Sequence, residues 1–480
     1  MNIKKKLSLV MSVVIAVVTA LTVSVSPIVT VDANAAGTIA TAKCVLTDAS
    51  NVLYQATLTG TPASDDGVMY LYQLKTYQYS IPAGAQPIAS CAASANAVMN
   101  FALGGREAGG RLYAKYALAT KQGGKIVMLG APQYISNPEI LATNTHREER
   151  PRKTTQGAEL TNLYINGSGN ANMPTGFCKH TIQVLCQAGT AVTNPKAAAA
   201  DSHRVTPQFY MFNAATDAGI EGLVRDMTNY AANGKGQDFI IGNEVNERMW
   251  NYMAWTGWED FINEYTQAFR VMYTAIKSTN ANARVYISLD QNWNRNRPKG
   301  HAEYYSYMDG ADFLNTFASN INAGGNIDWD LAIHPYTVPL TYAKFWNMAG
   351  CADGAYCAKQ VANNQMMSFQ NMSIVPAFMA QPGMRNRAGG MRDIIINEIG
   401  ISNAQGDDVQ AAALCAAYYA FSKSGVTQFM YLSGAGYGVD STMGPKTQSV
   451  FNALGTGDEA NQMNWAKSYI GISDWSQVIR

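Results

Sequence analysis

Two apolar runs that each stop on an Asn-Glu pair restrict this chain more than any other feature. The first reads Asp238-Phe239-Ile240-Ile241-Gly242-Asn243-Glu244, the second Asp393-Ile394-Ile395-Ile396-Asn397-Glu398. Large apolar residues without polar alternation suit a strand covered on both faces, as in a parallel sheet flanked by helices. The abrupt change to polar residues marks the end of the strand. A carboxylate placed there is held rigidly at a rim, so two such runs predict two glutamates at the mouth of one sheet.

The surrounding pattern gives that sheet its form. Strands are expected at Leu160–Asn166, Gln208–Asn213, Asp238–Ile241, Arg284–Leu289, Asp328–Ile333, Ile394–Ile396 and Gln428–Leu432, with one more compressed into residues 180–200. Helices are expected at Ile220–Ala232, Trp258–Lys277, Ala311–Ile321, near Asn364–Met372, and at Val409–Lys423. In the second of these, Phe261, Tyr265, Phe269 and Tyr273 recur at helical spacing and read as core. Strands alternating with helices over residues 157–480 predict a (β/α)8 TIM barrel. Residues 37–143 instead show short Tyr- and Val-bearing runs bounded by Gly-rich turns, and predict a small all-β, sandwich-like domain. This is either a structural companion or a carbohydrate-binding module. Between them, the charged stretch His146-Arg147-Glu148-Glu149-Arg150-Pro151-Arg152-Lys153 reads as a solvated linker over 144–156.

Residues 1–36 read as a signal peptide: Lys4-Lys5-Lys6, an apolar stretch, then Ala33-Asn34-Ala35 as a small-x-small cleavage site. The competing reading is an uncleaved anchor. The expectation is a secreted, extracellular monomer with no membrane contact after cleavage. With 35 Lys+Arg against 34 Asp+Glu, a nucleic-acid partner is not expected. Export permits disulfides, and Cys44/Cys91, Cys178/Cys186 and Cys351/Cys357 are the expected pairs, leaving Cys415 a buried thiol. No cysteine has zinc-site spacing, and neither metal nor cofactor is expected.

Polar residues collect where the expected strands end: Asn213, Asn243-Glu244, Asp290-Gln291-Asn292-Trp293, His334-Pro335-Tyr336 and Asn397-Glu398. Glycoside cleavage needs this kind of layout. One carboxylate attacks or stabilises an oxocarbenium-like centre while a second, protonated one gives its proton to the leaving oxygen. Glu244 and Glu398 are the candidate catalytic pair. Trp293, with Trp250 and Trp255, is a candidate stacking platform for a sugar ring. Asn213 is a candidate substrate contact, and Glu247 and Arg248 read as a solvated loop pair.

The strand-four Asn-Glu, the strand-seven Glu and the strand-six His-x-Tyr resemble the clan A glycoside hydrolases, retaining (β/α)8 enzymes. That resemblance implies Glu244 as acid/base and Glu398 as nucleophile. It also implies that Asn243 binds the sugar 2-hydroxyl, that Tyr336 bonds to the nucleophile and that His334 contacts substrate. The chain departs from the clan in lacking a Trp at the end of strand eight, where Phe429-Met430-Tyr431-Leu432-Ser433 stands, and a strand-two Arg beside the nucleophile. The His-Pro-Tyr segment and the closing Ile470-Gly471-Ile472-Ser473-Asp474-Trp475 also resemble a secreted bacterial family known only as a domain of unknown function.

The expected activity is retaining hydrolysis of a β-linked poly- or oligosaccharide. The alternative is a non-catalytic carbohydrate-binding or cell-surface scaffold on a degenerate barrel. A serine hydrolase is disfavoured, because the sequence has no Gly-x-Ser-x-Gly elbow.

Overall fold

The computed structural model describes residues 37–170, 180–198, 205–232, 237–299, 306–436 and 438–480. The expected signal segment lies outside them. No helix among the described residues is long and apolar enough to cross a membrane.

The chain begins with eight short strands: β1 (Ile39–Leu46), β2 (Asn51–Leu58), β3 (Val68–Leu74), β4 (Ala89–Ala92), β5 (Asn96–Ala102), β6 (Lys115–Gln122), β7 (Lys125–Met128) and β8 (Gln133–Tyr134). They form two antiparallel sheets, β1-β2-β5 and β4-β3-β6-β7 with β8 on β6. In β5 the alternation buries Ala97, Met99 and Phe101 and exposes the residues between, as one covered face requires. Phe101 of one sheet meets Tyr116 of the other at 4.8 Å between ring centroids, so the sheets pack face to face.

The larger part is a parallel sheet of eight strands: β9 (Lys153–Thr155), β10 (Leu160–Ile165), β11 (Thr181–Cys186), β12 (Asp238–Ile241), β13 (Arg284–Leu289), β14 (Trp329–Ile333), β15 (Ile394–Ile399) and β16 (Gln428–Tyr431). Their order is β10-β11-β12-β13-β14-β15-β16-β9. The two ends of this order, β9 and β10, are joined by a single turn of helix, α1 (Gln156–Glu159). A four-residue link cannot bridge two distant edges, so the sheet must curl until its ends meet, giving a TIM-like barrel. Such a link is also too short for a parallel crossover, which takes a dozen or more residues. β9 and β10 are therefore two halves of one wall element, interrupted by α1.

The helices that clothe the barrel include α2 (Asp217–Ala232), α3 (Trp258–Thr279), α4 (Gly310–Ala323), α5 (Gly354–Ala362), α6 (Ile374–Met379), α7 (Asp407–Lys423), α8 (Pro445–Ala453) and α9 (Glu459–Ile470). The four aromatics of α3 are fully buried. Inside the barrel, Leu160, Ile240, Tyr286, Ala332, Ile395 and Met430 make a separate apolar layer, the packing expected of inward positions on successive strands. The β-domain docks on the outer helices: Lys75 and Tyr77 both reach Asp217 of α2, and Asn263 and Gln267 of α3 both donate to Tyr79 Oη.

Several expectations are corrected. The wall begins at Lys153, inside the expected linker. The segment Gln208–Asn213 is not a strand and makes only isolated bridges, Thr193–Phe212 and Tyr210–Tyr252. Its amides go elsewhere: Tyr210 donates to the Cys186 carbonyl at the end of β11 at 3.1 Å and Met211 to that of Tyr252 at 2.9 Å. It therefore lies across the top of β11. The strand compressed into residues 180–200 is β11, the third strand of this sheet in chain order, so β12 is still the fourth along the chain. The expected helix at 364–372 is a short turn, Phe369–Asn371, between α5 and α6.

The charged stretch is solvated only in part: His146, Glu148, Glu149 and Arg152 are exposed, but two arginines turn inward. Arg147 pairs with buried Asp238 at 2.9 Å, and Arg150 with Asp393 at 2.6 Å and with Tyr286 Oη at 2.7 Å. These partners stand at the strand starts, so the arginines close the floor of the barrel. Cys44, Cys91, Cys186, Cys351, Cys357 and Cys415 are all free thiols, which removes the expected Cys44/Cys91 and Cys351/Cys357 pairs. Cys44 points into the core of its sheet, while Cys91 is half-exposed on the other. Cys178 lies outside the described residues.

Candidate active site

β12 gives way to Gly242, whose backbone is left-handed with φ +84°. A Cβ there would come within 2.6 Å of Asn251 Oδ1 and 2.8 Å of Val245 Cγ1, so only glycine fits. Two residues later Glu244, itself at φ +41°, leaves the strand and turns over the mouth. Asn251 donates to the Asn243 carbonyl at 2.7 Å and fixes the turn.

β15 delivers the second carboxylate differently. Its pairing with β16 shifts between Ile396 and Ile399, a bulge that re-aims side chains at a strand end. Strict alternation would send Asn397 and Glu398 to opposite faces, but here Glu398 reaches the mouth while Asn397 lies buried against His334. One oxygen of Glu244, one of Glu398 and one ring nitrogen of His334 all lie within 4.8 Å of one another.

Each carboxylate has its own partners. Tyr336 Oη donates to Glu398 Oε1, and Gln156 Nε2 donates to Glu398 Oε2 at 3.2 Å. His334 Nδ1 lies 2.7 Å from Glu244 Oε1, and its Nε2 lies 3.1 Å from Asn397 Oδ1. Burial lowers the pKa of His334 and, together with the neighbouring Asp290, raises that of Glu244. His334 thus ties Glu244 to Asn397 through its two ring nitrogens, while burial favours the neutral imidazole and the protonated form of Glu244. The same three groups have the makings of a metal-ligand set, but His334 and Glu244 already satisfy each other and Glu398 is met by Tyr336 and Gln156.

The barrel brings Glu244, Glu398, His334 and Tyr336 together as the sequence placed them. Asn243 is at the rim, its Oδ1 accepting from Gln183 at 2.6 Å. Two other candidates fall elsewhere. Trp293 is 4% exposed and meets Phe378 edge-on at 5.1 Å, so it belongs to the core. Asn213 donates to the Ala191 carbonyl at 2.9 Å and to Thr216 Oγ1 at 2.8 Å. It holds the loop before α2, because the segment that carries it is not a wall strand. Trp255 stacks on Phe261, while Trp250 remains at the mouth.

Glu247 and Arg248 are both buried, contrary to their reading as a solvated pair. Trp250 Nε1 donates to Glu247 Oε2 at 2.9 Å, and burial beside Glu244 drives the Glu247 carboxyl far above its ordinary range. Asp290 is held by Asn246 and Asn292, with its pKa raised by burial. Glu247 and Asp290 thus enlarge the acidic cluster around Glu244. Their involvement had a faint signal in sequence, as both sit just beyond strand ends. Gln156 had none, since it lay in the expected linker. It occupies the role for which the clan resemblance leads one to seek an arginine.

The family model described as "Family of unknown function (DUF5722)" matches residues 177–478. No curated protein matches. Among solved structures, a family 39 glycoside hydrolase from Bacteroides cellulosilyticus WH2 aligns at TM-score 0.37 and 12% identity, covering 86% of this chain and 82% of that one. A β-D-glucuronidase for Dictyoglomus thermophilum aligns at 0.30 and 8%, covering 86% and 68%. A glucosidase from Croceicoccus marinus aligns at 0.30 and 14%, covering 57% and 50%. These superpositions are loose, and the chemistry of the site rests on the side chains of this chain alone.

Proposed function

The chain belongs to the family of unknown function DUF5722, and we propose that it is a secreted retaining glycoside hydrolase acting on a β-linked poly- or oligosaccharide. The observation that carries this reading is the approach of Glu244 and Glu398 to within 4.8 Å. Retaining glycosidases hold their carboxyl groups about 5–5.5 Å apart, and inverting ones about 6.5–9.5 Å.

In the first step a Glu398 oxygen attacks the anomeric carbon. The bond to the leaving oxygen breaks, and that oxygen takes the proton of Glu244. Tyr336 and Gln156 orient the attacking carboxylate, and His334 holds the acid in place. In the second step Glu244, now ionised, takes a proton from water, and the water oxygen displaces Glu398 from the sugar. The two carboxyls differ in environment, as this division requires: Glu244 is desolvated among other acids, whereas Glu398 receives two hydrogen-bond donors. In this reading Asn243 binds the 2-hydroxyl. Export rests on residues 1–36, and N-terminal sequencing of the protein from culture medium tests it.

The purified protein, with Glu398→Ala as control, is to be screened on a panel of β-linked oligo- and polysaccharides. Turnover by the parent alone, with the anomeric configuration kept, supports the reading. Turnover with inversion, or equal turnover by the variant, overturns it. Tight binding without turnover favours the scaffold alternative.

A further inference from the structure

The Trp293 platform expected from sequence is buried, but another aromatic surface takes its place at the mouth. Tyr164 lies near the end of β10, Phe209 crosses above β11, and Trp250 follows β12. Tyr164 and Phe209 have ring centroids 5.9 Å apart and tilted by 34°. Phe209 and Trp250 are 5.9 Å apart and stacked at 26°. All three are half-buried, so the row keeps an open side.

The row is fixed in place and joined to the acids. The Phe209 carbonyl accepts the Tyr252 amide at 2.9 Å, and the Trp250 indole donates to Glu247, which adjoins Glu244. Two residues before Tyr164, on the same side of β10, Asn162 carries a buried Oδ1 with no hydrogen-bond partner among the described residues. A flat apolar face matches the C–H-lined face of a pyranose ring. The end of β16, where the clan resemblance leads one to look for a Trp, has Leu432-Ser433 instead.

We propose that Tyr164, Phe209 and Trp250 form a stacking subsite for a second sugar ring, adjoining the ring held between Glu244 and Glu398, so that the protein selects chains of two or more pyranose units. This rests on the glycosidase reading for its first ring, but a stacking subsite makes its own contribution to binding.

The test compares aryl β-glycosides of mono-, di- and trisaccharides in the gluco, xylo, manno and galacto series. Phe209 is the residue to change, because it touches neither carboxyl. The parent is expected to gain about tenfold in kcat/KM from the monosaccharide to the longer members, the scale of one aromatic contact. Phe209→Ala abolishes that gain and leaves the monosaccharide rate within about twofold, while Phe209→Trp restores it. No gain with length in the parent, or an unaltered gain in Phe209→Ala, overturns the subsite. A parallel calorimetric titration of the Glu398→Ala protein with the trisaccharides separates the two proposals. Binding weakened by Phe209→Ala, with no turnover by the parent, supports the subsite and overturns the glycosidase reading. Neither binding nor turnover overturns both.

Discussion

His334 Nδ1 stands 2.7 Å from Glu244 Oε1 at the barrel mouth, on a ring whose other nitrogen is taken by Asn397. The acid is thus gripped through one oxygen by a group buried beneath it. Glu244→Gln and Glu398→Gln should each lower kcat by roughly 10²–10⁴-fold, with an unchanged far-ultraviolet circular dichroism spectrum. Wild-type rates in either variant would remove that residue from the mechanism.

Tyr336→Phe keeps the ring and removes the hydroxyl that donates to Glu398. A hydrogen bond to a charged group contributes about 1.5–3 kcal/mol, so kcat should fall by roughly ten- to a hundredfold. KM for the same substrate should change little. A variant with reduced substrate affinity and intact kcat would assign Tyr336 to binding instead.

The pH profile is set by the surroundings of Glu244. Burial, then Asp290 and Glu398, push its carboxyl well above the ordinary glutamate range. Activity requires it protonated, so the alkaline limb of kcat/KM should lie well above about pH 4.5. Asp290→Asn removes a neighbouring negative charge and should move that limb to lower pH, whatever it does to the maximal rate. A limb that stays fixed would separate Asp290 from the proton of Glu244.

Stability should also depend on pH, through the barrel floor. Burial and then Asp393 raise Asp330 to about 7. A carboxyl raised on folding stabilises fully below its unfolded value of about 3.9, and that contribution is lost as pH rises through the folded value. Burial alone would raise Asp393 too, but Arg150 and Arg284 hold it at about 2. Its contribution is present above the unfolded value and is lost as pH falls toward 2. Tm measured by scanning fluorimetry should therefore peak at about pH 4 and decline toward neutrality. A Tm that rises steadily from pH 5 to 8 would contradict this.

Trp293→Ala should act through the core. Truncating a buried Trp costs about 3–5 kcal/mol, to be read as a lowered urea midpoint. KM should be nearly unchanged if the protein is assayed well below its unfolding range. A raised KM at wild-type stability would return Trp293 to the substrate.

What the sequence disclosed was periodicity and abrupt ends. The runs at 238–241, 284–289, 329–333, 394–399 and 428–431 stand out because strands buried on both faces have no polar alternation to blur them, and their polar ends fell at the mouth as expected. The first wall strand was hidden because Lys153-Thr154-Thr155 is short and polar and comes after a run of charges. Arg147 and Arg150 looked solvated because their partners, Asp238 and Asp393, lie far along the chain. The roles of Glu247, Asp290 and Gln156 were concealed for the same reason: burial and neighbours are properties of the closed barrel. Trp293 and Asn213 misled because adjacency to a strand end says nothing about which way a side chain leaves it.

The turn Gln156–Glu159 has a consequence for assembly. One stretch, 153–165, must find both Thr181–Cys186, nearby in sequence, and Gln428–Tyr431, almost at the other terminus. Until the latter emerges from the ribosome, one flank of the sheet has nothing to zip to, and Gln156 has no settled nucleophile to hold. A nascent chain cut short before residue 428 carries both glutamates yet lacks the vessel that makes them neighbours.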